Sequence, residues 1–131
     1  MNNFNLTDFV DGIHLKDEIW YSDNSSEVSY PSKGNEDCMQ IEDNSFWFRH
    51  RNKCLISLVK HFSPDKKFWD IGGGNGFVSS GLQNNGIESI LVEPGPSGAA
   101  NGKRRGIRNI ICATLENIRL KPDSMQAAGI G

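Results

Sequence analysis

The sequence predicts an α/β fold, in which parallel strands alternate with helices. A short apolar run, Phe68 to Ile71, is followed at once by a glycine-rich turn and by a helical pattern from Phe77 to Asn85. Strands that alternate with helices pair in parallel, because each helix returns the chain to the end of the sheet where the previous strand began, so that the next strand runs in the same direction. Further runs of strand length recur after spacers long enough for a helix or a turn, at 90–93, 107–112 and 125–130.

The turn after the first strand is the most informative stretch, since four of its five residues, Gly72 to Gly76, are glycines. Glycine adopts positive φ and lets a ligand approach the backbone. The dinucleotide pattern G-x-G-x-x-G does not fit, because its third glycine would fall on Phe77 or Ser79, and the phosphate-binding G-x-x-x-x-G-K-[ST] lacks its lysine. The pattern D-x-G-x-G-x-G does fit, starting at Asp70. An acid there would repel a pyrophosphate and suit an ammonium group.

These residues resemble the first motif of class I S-adenosylmethionine-dependent methyltransferases. The motif positions are Asp70, Gly72, Gly74 and Gly76, with Gly73 inside the loop. In that family the glycine loop packs against the methionine portion of the cofactor. The predicted second strand ends in Glu93, 23 residues after the first acid. The resemblance implies that this carboxylate accepts hydrogen bonds from both ribose hydroxyls, and that its replacement changes binding rather than folding.

The resemblance extends to two other segments. Pro94 follows the ribose acid, and the loop that flanks the adenine ring in the family corresponds to Thr114 and Leu115. Many members have an acid just after the third strand, and this chain does not, so backbone groups of the loop would take its place. An aromatic triplet followed by Arg-x-Arg-Asn resembles a helix that covers the cofactor in some members, which implies roles for Trp47 and Arg51. Packing of the neighbouring aromatic side chains against the sheet is the alternative.

This same segment predicts a helix ahead of the glycine turn. Asn44 or Ser45 is placed to cap its first turn. The apolar spacing i, i+3, i+4, i+7 predicts that one face is buried. The residues of that face are Leu55, Leu58, Val59 and Phe62.

With the resemblance, the expected fold is a Rossmann-like three-layer αβα domain with parallel strands in the order 3-2-1-4. It would be an incomplete class I methyltransferase fold, ending before the substrate half, where the catalytic residues would lie. Residues 45–131 form the expected S-adenosylmethionine-binding domain, and residues 1–44 an N-terminal accessory segment, partly extended or flexible. The implied function is methyl transfer to an unidentified acceptor, with S-adenosyl-L-methionine or S-adenosyl-L-homocysteine bound, although this chain alone is expected to be inactive. A non-catalytic cofactor-binding or structural fragment and an NAD-binding oxidoreductase fragment are the alternatives.

Composition narrows the expected partners. With 37% hydrophobic residues and a formal charge of −2, the chain has no basic excess that would indicate nucleic acid. No apolar run approaches the roughly 18 residues that span a bilayer, and no signal peptide is evident, so we expect no membrane partner and a cytoplasmic location. The outer edge of the strand at 125–130 predicts self-association. No metal site is expected, because three widely spaced cysteines do not form a ligand pattern: Cys38, Cys54 and Cys112.

Overall fold

The strands alternate with helices, as the sequence predicts. The computed structural model describes residues 5–23, 44–62, 67–125 and 127–130. Its α-helices are α1 (Phe46–Phe62), α2 (Phe77–Asn84) and α3 (Pro96–Arg104), and short 3-10 helices span Leu6–Asp8 and Leu115–Asn117. Its strands are β1 (Val10–Asp11), β2 (Ile13–Lys16), β3 (Ile19–Ser22), β4 (Phe68–Ile71), β5 (Ser89–Val92), β6 (Asn109–Cys112), β7 (Arg119–Leu120) and β8 (Ala127–Ile130).

Six of the strands form one mostly parallel sheet in the order β2-β3-β6-β5-β4-β8. Only the β2–β3 pair is antiparallel. Strand β5 lies inside this sheet and all four of its residues are buried, as expected for a parallel strand with both faces covered. The predicted α/β class is therefore confirmed, and the layout is compatible with a Rossmann-like fold.

The two faces of the sheet are covered differently. On one face, α1 and α2 pack around Phe68 and Leu82, while α3 packs on Leu91. On the opposite face, the buried side chains of Trp69 and its neighbours contact the first 3-10 helix and the two-stranded β1–β7 sheet through Leu6 and other apolar residues. Among the described residues, the expected second helical layer is thus replaced by this irregular N-terminal cover.

The described part of the N-terminal segment also extends the sheet. The β2–β3 hairpin attaches through β3, which pairs in parallel with β6 so that Tyr21 lies opposite Cys112. Its turn residues Asp17 and Glu18 both have positive φ, 51° and 68°, and Lys103 Nζ donates to the Asp17 carbonyl at 2.7 Å. Residues 24–43 of the accessory segment lie outside the described residues.

Helix α1 forms as predicted, but it is rotated relative to the expected buried face. The Ser45 hydroxyl accepts from the Phe48 N–H at 3.4 Å, so the predicted cap is confirmed. The buried residues of α1 are Asn52, Ile56 and Val59, whereas Leu58 and Phe62 are 55% and 73% exposed. The apolar spacing alone was misleading, because the buried face includes Asn52, whose side-chain NH2 donates to the Phe77 carbonyl. None of the helices in the described ranges is long and apolar enough to cross a membrane.

Candidate functional site

The candidate site lies at the carboxyl ends of β4 and β5, where the chain leaves the sheet for α2 and α3. Strand β4 pairs with β5 on one side and with β8 on the other. The chain therefore moves from β4 in one direction and later returns to its other side. In open parallel sheets, ligands bind at such a reversal of strand order, outside the carboxyl ends of the strands.

The glycine turn has a backbone conformation that requires glycine at three positions and that exposes its backbone. Gly72, Gly74 and Gly76 have φ values of 66°, 58° and 78°, which favour glycine strongly. The Gly72 N–H donates to the Val92 carbonyl at 2.7 Å, so the turn is tied to the end of β5. A Cβ on Gly74 would meet no atom within 4 Å. The middle of the turn is therefore bare backbone next to open space.

Gly73 is required for a different reason, the close approach of the turn to the sheet. A Cβ there would lie 2.5 Å from both Asp70 Oδ2 and Leu91 Cδ1. Asp70 is 4% exposed, and its Oδ2 accepts from the buried Ser79 hydroxyl at 2.8 Å. This bond joins the end of β4 to the first turn of α2. The predicted acid thus lies directly beneath the glycine turn.

Glu93 connects the turn to the start of α3. Its Oε1 accepts from the Gly74 N–H at 3.0 Å and its Oε2 accepts from the Gly95 N–H at 2.7 Å. The residue is 8% exposed. A carboxylate has about four acceptor positions, so roughly two remain for a ligand. The structure therefore gives Glu93 a part in folding as well as a candidate part in binding, contrary to the expectation that folding is independent of it.

The electrostatics of this carboxylate follow from its burial. Burial raises the pKa of Glu93 above its ordinary value of 4.5, and the negative charge of Asp70 raises it further, while the hydrogen bonds from Gly95 and Gly74 act in the opposite direction. Two carboxylates at one turn make the site unfavourable for a pyrophosphate. They favour a cationic group or a hydroxyl donor.

Three further residues shape the site and were missed in the sequence. A Cβ on Gly98 of α3 would lie 2.9 Å from the Gly74 carbonyl oxygen and 3.0 Å from Glu93 Cγ, so only glycine lets α3 approach the turn. Asn75 and Asn101 are buried, and the Asn101 amide donates to Asn75 Oδ1 at 3.0 Å. Glycine is unfavourable inside a helix, so the glycines four residues apart in α3 were the available signal.

The end of β6 completes the other side of the site. Cys112 donates its S–H to the Pro94 carbonyl at 3.7 Å, which brings the loop containing Thr114 and Leu115 beside the β5 end. Thr114 is half-buried and Leu115 is 41% exposed. Burial raises the pKa of the Cys112 thiol, and the charge of Glu93 adds to this effect.

Helix α1 lies next to α2. The Asn52 side-chain amide donates to the Phe77 carbonyl at 3.2 Å. Asn52 and Ile56 both lie against Gly81, so this part of α1 packs along α2. Trp47 is in the first part of the helix and is 66% exposed. Arg51 has its guanidinium 5.2 Å above the centre of the Phe48 ring.

The predicted site residues therefore fall into three groups. The first group forms one contiguous site: Asp70, Gly72, Gly73, Gly74, Gly76, Glu93 and Pro94. Thr114 and Leu115 lie on the adjacent strand end, and Trp47 and Arg51 lie on the neighbouring helix. Within the described ranges, no three His, Cys, Asp or Glu side chains come together as metal ligands, and Cys54 and Cys112 are free thiols. Cys38 lies outside the described residues.

Comparison with known proteins adds no relative. Neither the protein-family models nor the curated proteins give a significant match to this chain. The geometry of the glycine turn and of its two carboxylates is what bears on function.

Proposed function

We propose that this chain binds S-adenosyl-L-methionine at the glycine turn and is the cofactor-binding portion of a class I methyltransferase, with an unidentified methyl acceptor. One observation carries the proposal. The Glu93 carboxylate accepts from the Gly74 and Gly95 N–H groups, so the acid at the end of β5 and the turn at the end of β4 belong to one site.

The charges of this site match the cofactor better than a dinucleotide. The methionine portion of S-adenosylmethionine has an ammonium and a sulfonium, which buried Asp70 and Glu93 would attract. Its carboxylate would face the backbone N–H groups where α2 begins. The ribose hydroxyls would donate to the acceptor positions of Glu93 that the backbone leaves unused. An NAD pyrophosphate would instead meet two negative charges.

The neighbouring elements support the placement of the rest of the cofactor. Adenine would lie beyond Pro94, beside the loop of Thr114 and Leu115, which the Cys112 to Pro94 contact holds close. Trp47 would cover the site from the first part of α1. The exposure of Trp47 in the ligand-free chain is consistent with a side chain that becomes buried on binding.

The topology also supports this proposal. The four parallel strands β6-β5-β4-β8 correspond to the third, second, first and fourth strands predicted from the sequence, which favours the doubly wound order 3-2-1-4. The bound cofactor would supply an electrophilic methyl group. The residues of this chain would bind and orient it, and the proposal assigns no catalytic residue to them.

Ligand-induced stabilisation tests the proposal. S-adenosylhomocysteine should raise the thermal midpoint of the chain and give a saturable calorimetric isotherm, because a ligand that binds only the folded state stabilises it. NAD at the same concentration should do neither. Stabilisation by NAD alone would favour the oxidoreductase alternative, and no effect of either ligand would favour a structural role.

A further inference from the structure

A cavity lies at the end of the sheet that is opposite to the glycine turn. It has a volume of about 420 Å³ and lies between the turn of the β2–β3 hairpin and the segment that joins α3 to β6. Since β3 and β6 are parallel, both of these elements are at the amino ends of the strands, whereas the candidate cofactor site is at the carboxyl ends. The cavity is therefore separate from that site, and its volume is typical of small-molecule sites.

The wall of the cavity combines apolar side chains with positive charge. Its apolar part consists of Leu15 and Trp20, which are cross-strand partners, and of Ile107. Leu15 is 56% exposed, so much of this apolar residue is uncovered in the free chain. The cationic part consists of Lys103 and Arg108. A ligand of this cavity should therefore have an apolar body and an anionic group.

The positive charge is concentrated beside the cavity and has little local compensation. Residues 103–108 include four Lys or Arg residues, and the sequence has no Asp or Glu between Glu93 and Glu116. The side chain of Arg108 is 62% exposed, and its Nη2 is 3.9 Å from Glu88 Oε2. Hydrogen bonds between guanidinium and carboxylate groups are about 2.7–2.9 Å long, so Glu88 leaves the guanidinium available to a ligand.

Lys103 connects the two sides of the cavity. Its Nζ donates to the Asp17 carbonyl at 2.7 Å and is 3.6 Å from the exposed Glu18 carboxylate. Asp17 and Glu18 both have positive φ, which hairpin turns of this kind normally assign to Asn or Gly. Residues in such conformations cluster at ligand-binding sites. The Lys103 ammonium is thus held at the cavity by the hairpin turn.

The backbone of this region adds few acceptors. The carbonyls of Gly102 and Lys103, in the last turn of α3, already accept from the Ile107 and Gly106 N–H groups. The Gly106 carbonyl accepts from the Gln83 side chain at 2.7 Å. The polar groups that remain for a ligand are therefore mainly the two cationic side chains.

We propose that this cavity binds a small aromatic carboxylate, at a site distinct from the one proposed for the cofactor. The carboxylate would accept from the Arg108 guanidinium, and the ring would lie against Leu15 and Trp20. Lys103, Arg108 and Glu18 give the wall two cations and one anion, so one carboxylate balances its charge. A phosphate dianion would exceed that balance and would be repelled by Glu18.

An NMR titration of the full isotope-labelled chain with benzoate tests this proposal. Saturable chemical-shift changes should be largest at the Gly106 and Arg108 backbone N–H groups and at the Trp20 indole N–H, and small at Gly74. Benzyl alcohol, which has the ring without the charge, should bind at least about tenfold more weakly, because it forms no charge-assisted hydrogen bond. Acetate, which has the charge without the ring, should not saturate over the same concentrations.

Two matched pairs of variants locate the site. Arg108→Gln should bind benzoate at least about tenfold more weakly, whereas Arg104→Gln, which removes the same charge from an exposed residue outside the cavity wall, should bind like wild type. Leu15→Gln should bind about fivefold more weakly, whereas Lys16→Gln on the same strand should not. All four residues are exposed, so the thermal midpoints should stay close to that of wild type. Equal affinities of Arg108→Gln and Arg104→Gln, or shifts that are largest at Gly74, would overturn the proposal, and so would the absence of saturable benzoate binding.

Discussion

Replacing Gly74 with alanine isolates the role of the bare backbone in the glycine turn. Gly74 has a φ of 58°, and a Cβ there would meet no protein atom within 4 Å. The new methyl group would therefore collide with nothing in the free chain and would project into the space where we place the cofactor. Gly86 provides a matched control, since its φ is 79°, its Cβ would also meet nothing within 4 Å, and it lies past the other end of α2.

The expected magnitudes differ between stability and binding. An alanine in the left-handed region costs about 1–2 kcal/mol, and the loss of unfolded-state freedom returns about 0.4–1 kcal/mol. Both variants should therefore lose about 1 kcal/mol of unfolding free energy, which lowers the midpoint by about 3–5 °C in a chain of this size. Overpacking a close contact costs about 1–3 kcal/mol. Only Gly74→Ala should pay this on binding, as a loss of affinity of about tenfold to a hundredfold.

The assay is a pair of measurements on both variants. Thermal unfolding without ligand should give midpoints for Gly74→Ala and Gly86→Ala that agree closely, and calorimetric titration with S-adenosylhomocysteine should separate them. If Gly74→Ala binds as tightly as Gly86→Ala, no ligand packs against this backbone and the placement of the cofactor is wrong. A midpoint for Gly74→Ala far below that of Gly86→Ala would show that the turn has less free space than the structure indicates.

Glu93→Gln should bind S-adenosylhomocysteine more weakly by about 1–3 kcal/mol, and it should also unfold more easily by about 1 kcal/mol, since one backbone N–H loses its acceptor. A 2′,3′-dideoxy analogue should bind wild type and Glu93→Ala about equally. Wild-type affinity for S-adenosylhomocysteine in Glu93→Ala would refute the ribose contact. Burial raises the pKa of Glu93 above 4.5 in the folded chain, so the contribution of Glu93 to stability is greatest below the unfolded pKa and falls as pH rises through the folded pKa. In that pH range, the unfolding free energy of wild type minus that of Glu93→Gln should fall with pH. The affinity of wild type for S-adenosylhomocysteine should rise over the same range, because binding needs the ionised carboxylate. Gly98→Ala should lower both stability and affinity, because its Cβ would meet the Gly74 carbonyl oxygen. Gly102→Ala should lower stability alone, because its Cβ would meet the end of a leucine side chain. Equal affinities of the two variants for S-adenosylhomocysteine in a titration would contradict this. Trp47→Ala should leave the thermal midpoint nearly unchanged, because the side chain is 66% exposed, and weaken S-adenosylhomocysteine binding; a lowered midpoint with unchanged affinity would assign Trp47 to packing.

The features that the sequence determined are those that depend on neighbours along the chain. The turn from Gly72 to Gly76 follows from backbone sterics, because only glycine adopts its positive φ values without strain. The cap at Ser45 depends on a hydroxyl that accepts a hydrogen bond from the backbone N–H three residues later, that of Phe48. Strand β5 and the acid that follows it were evident from a short apolar run ending in Glu93. Each of these signals is local, so no knowledge of the folded chain was needed.

The tertiary structure decided which of these residues meet. Glu93 accepts from the Gly74 N–H because β5 pairs with β4, which brings the glycine turn to the acid from 19 residues earlier in the chain. Only its second donor, the Gly95 N–H, is local. The rotation of α1 was also decided by packing, since the buried Asn52 side-chain NH2 donates to the Phe77 carbonyl, while Leu58 is left outside. Burying an amide donor costs less when a partner accepts its hydrogen bond. That partner comes from a distant part of the chain, so apolar periodicity could not reveal it.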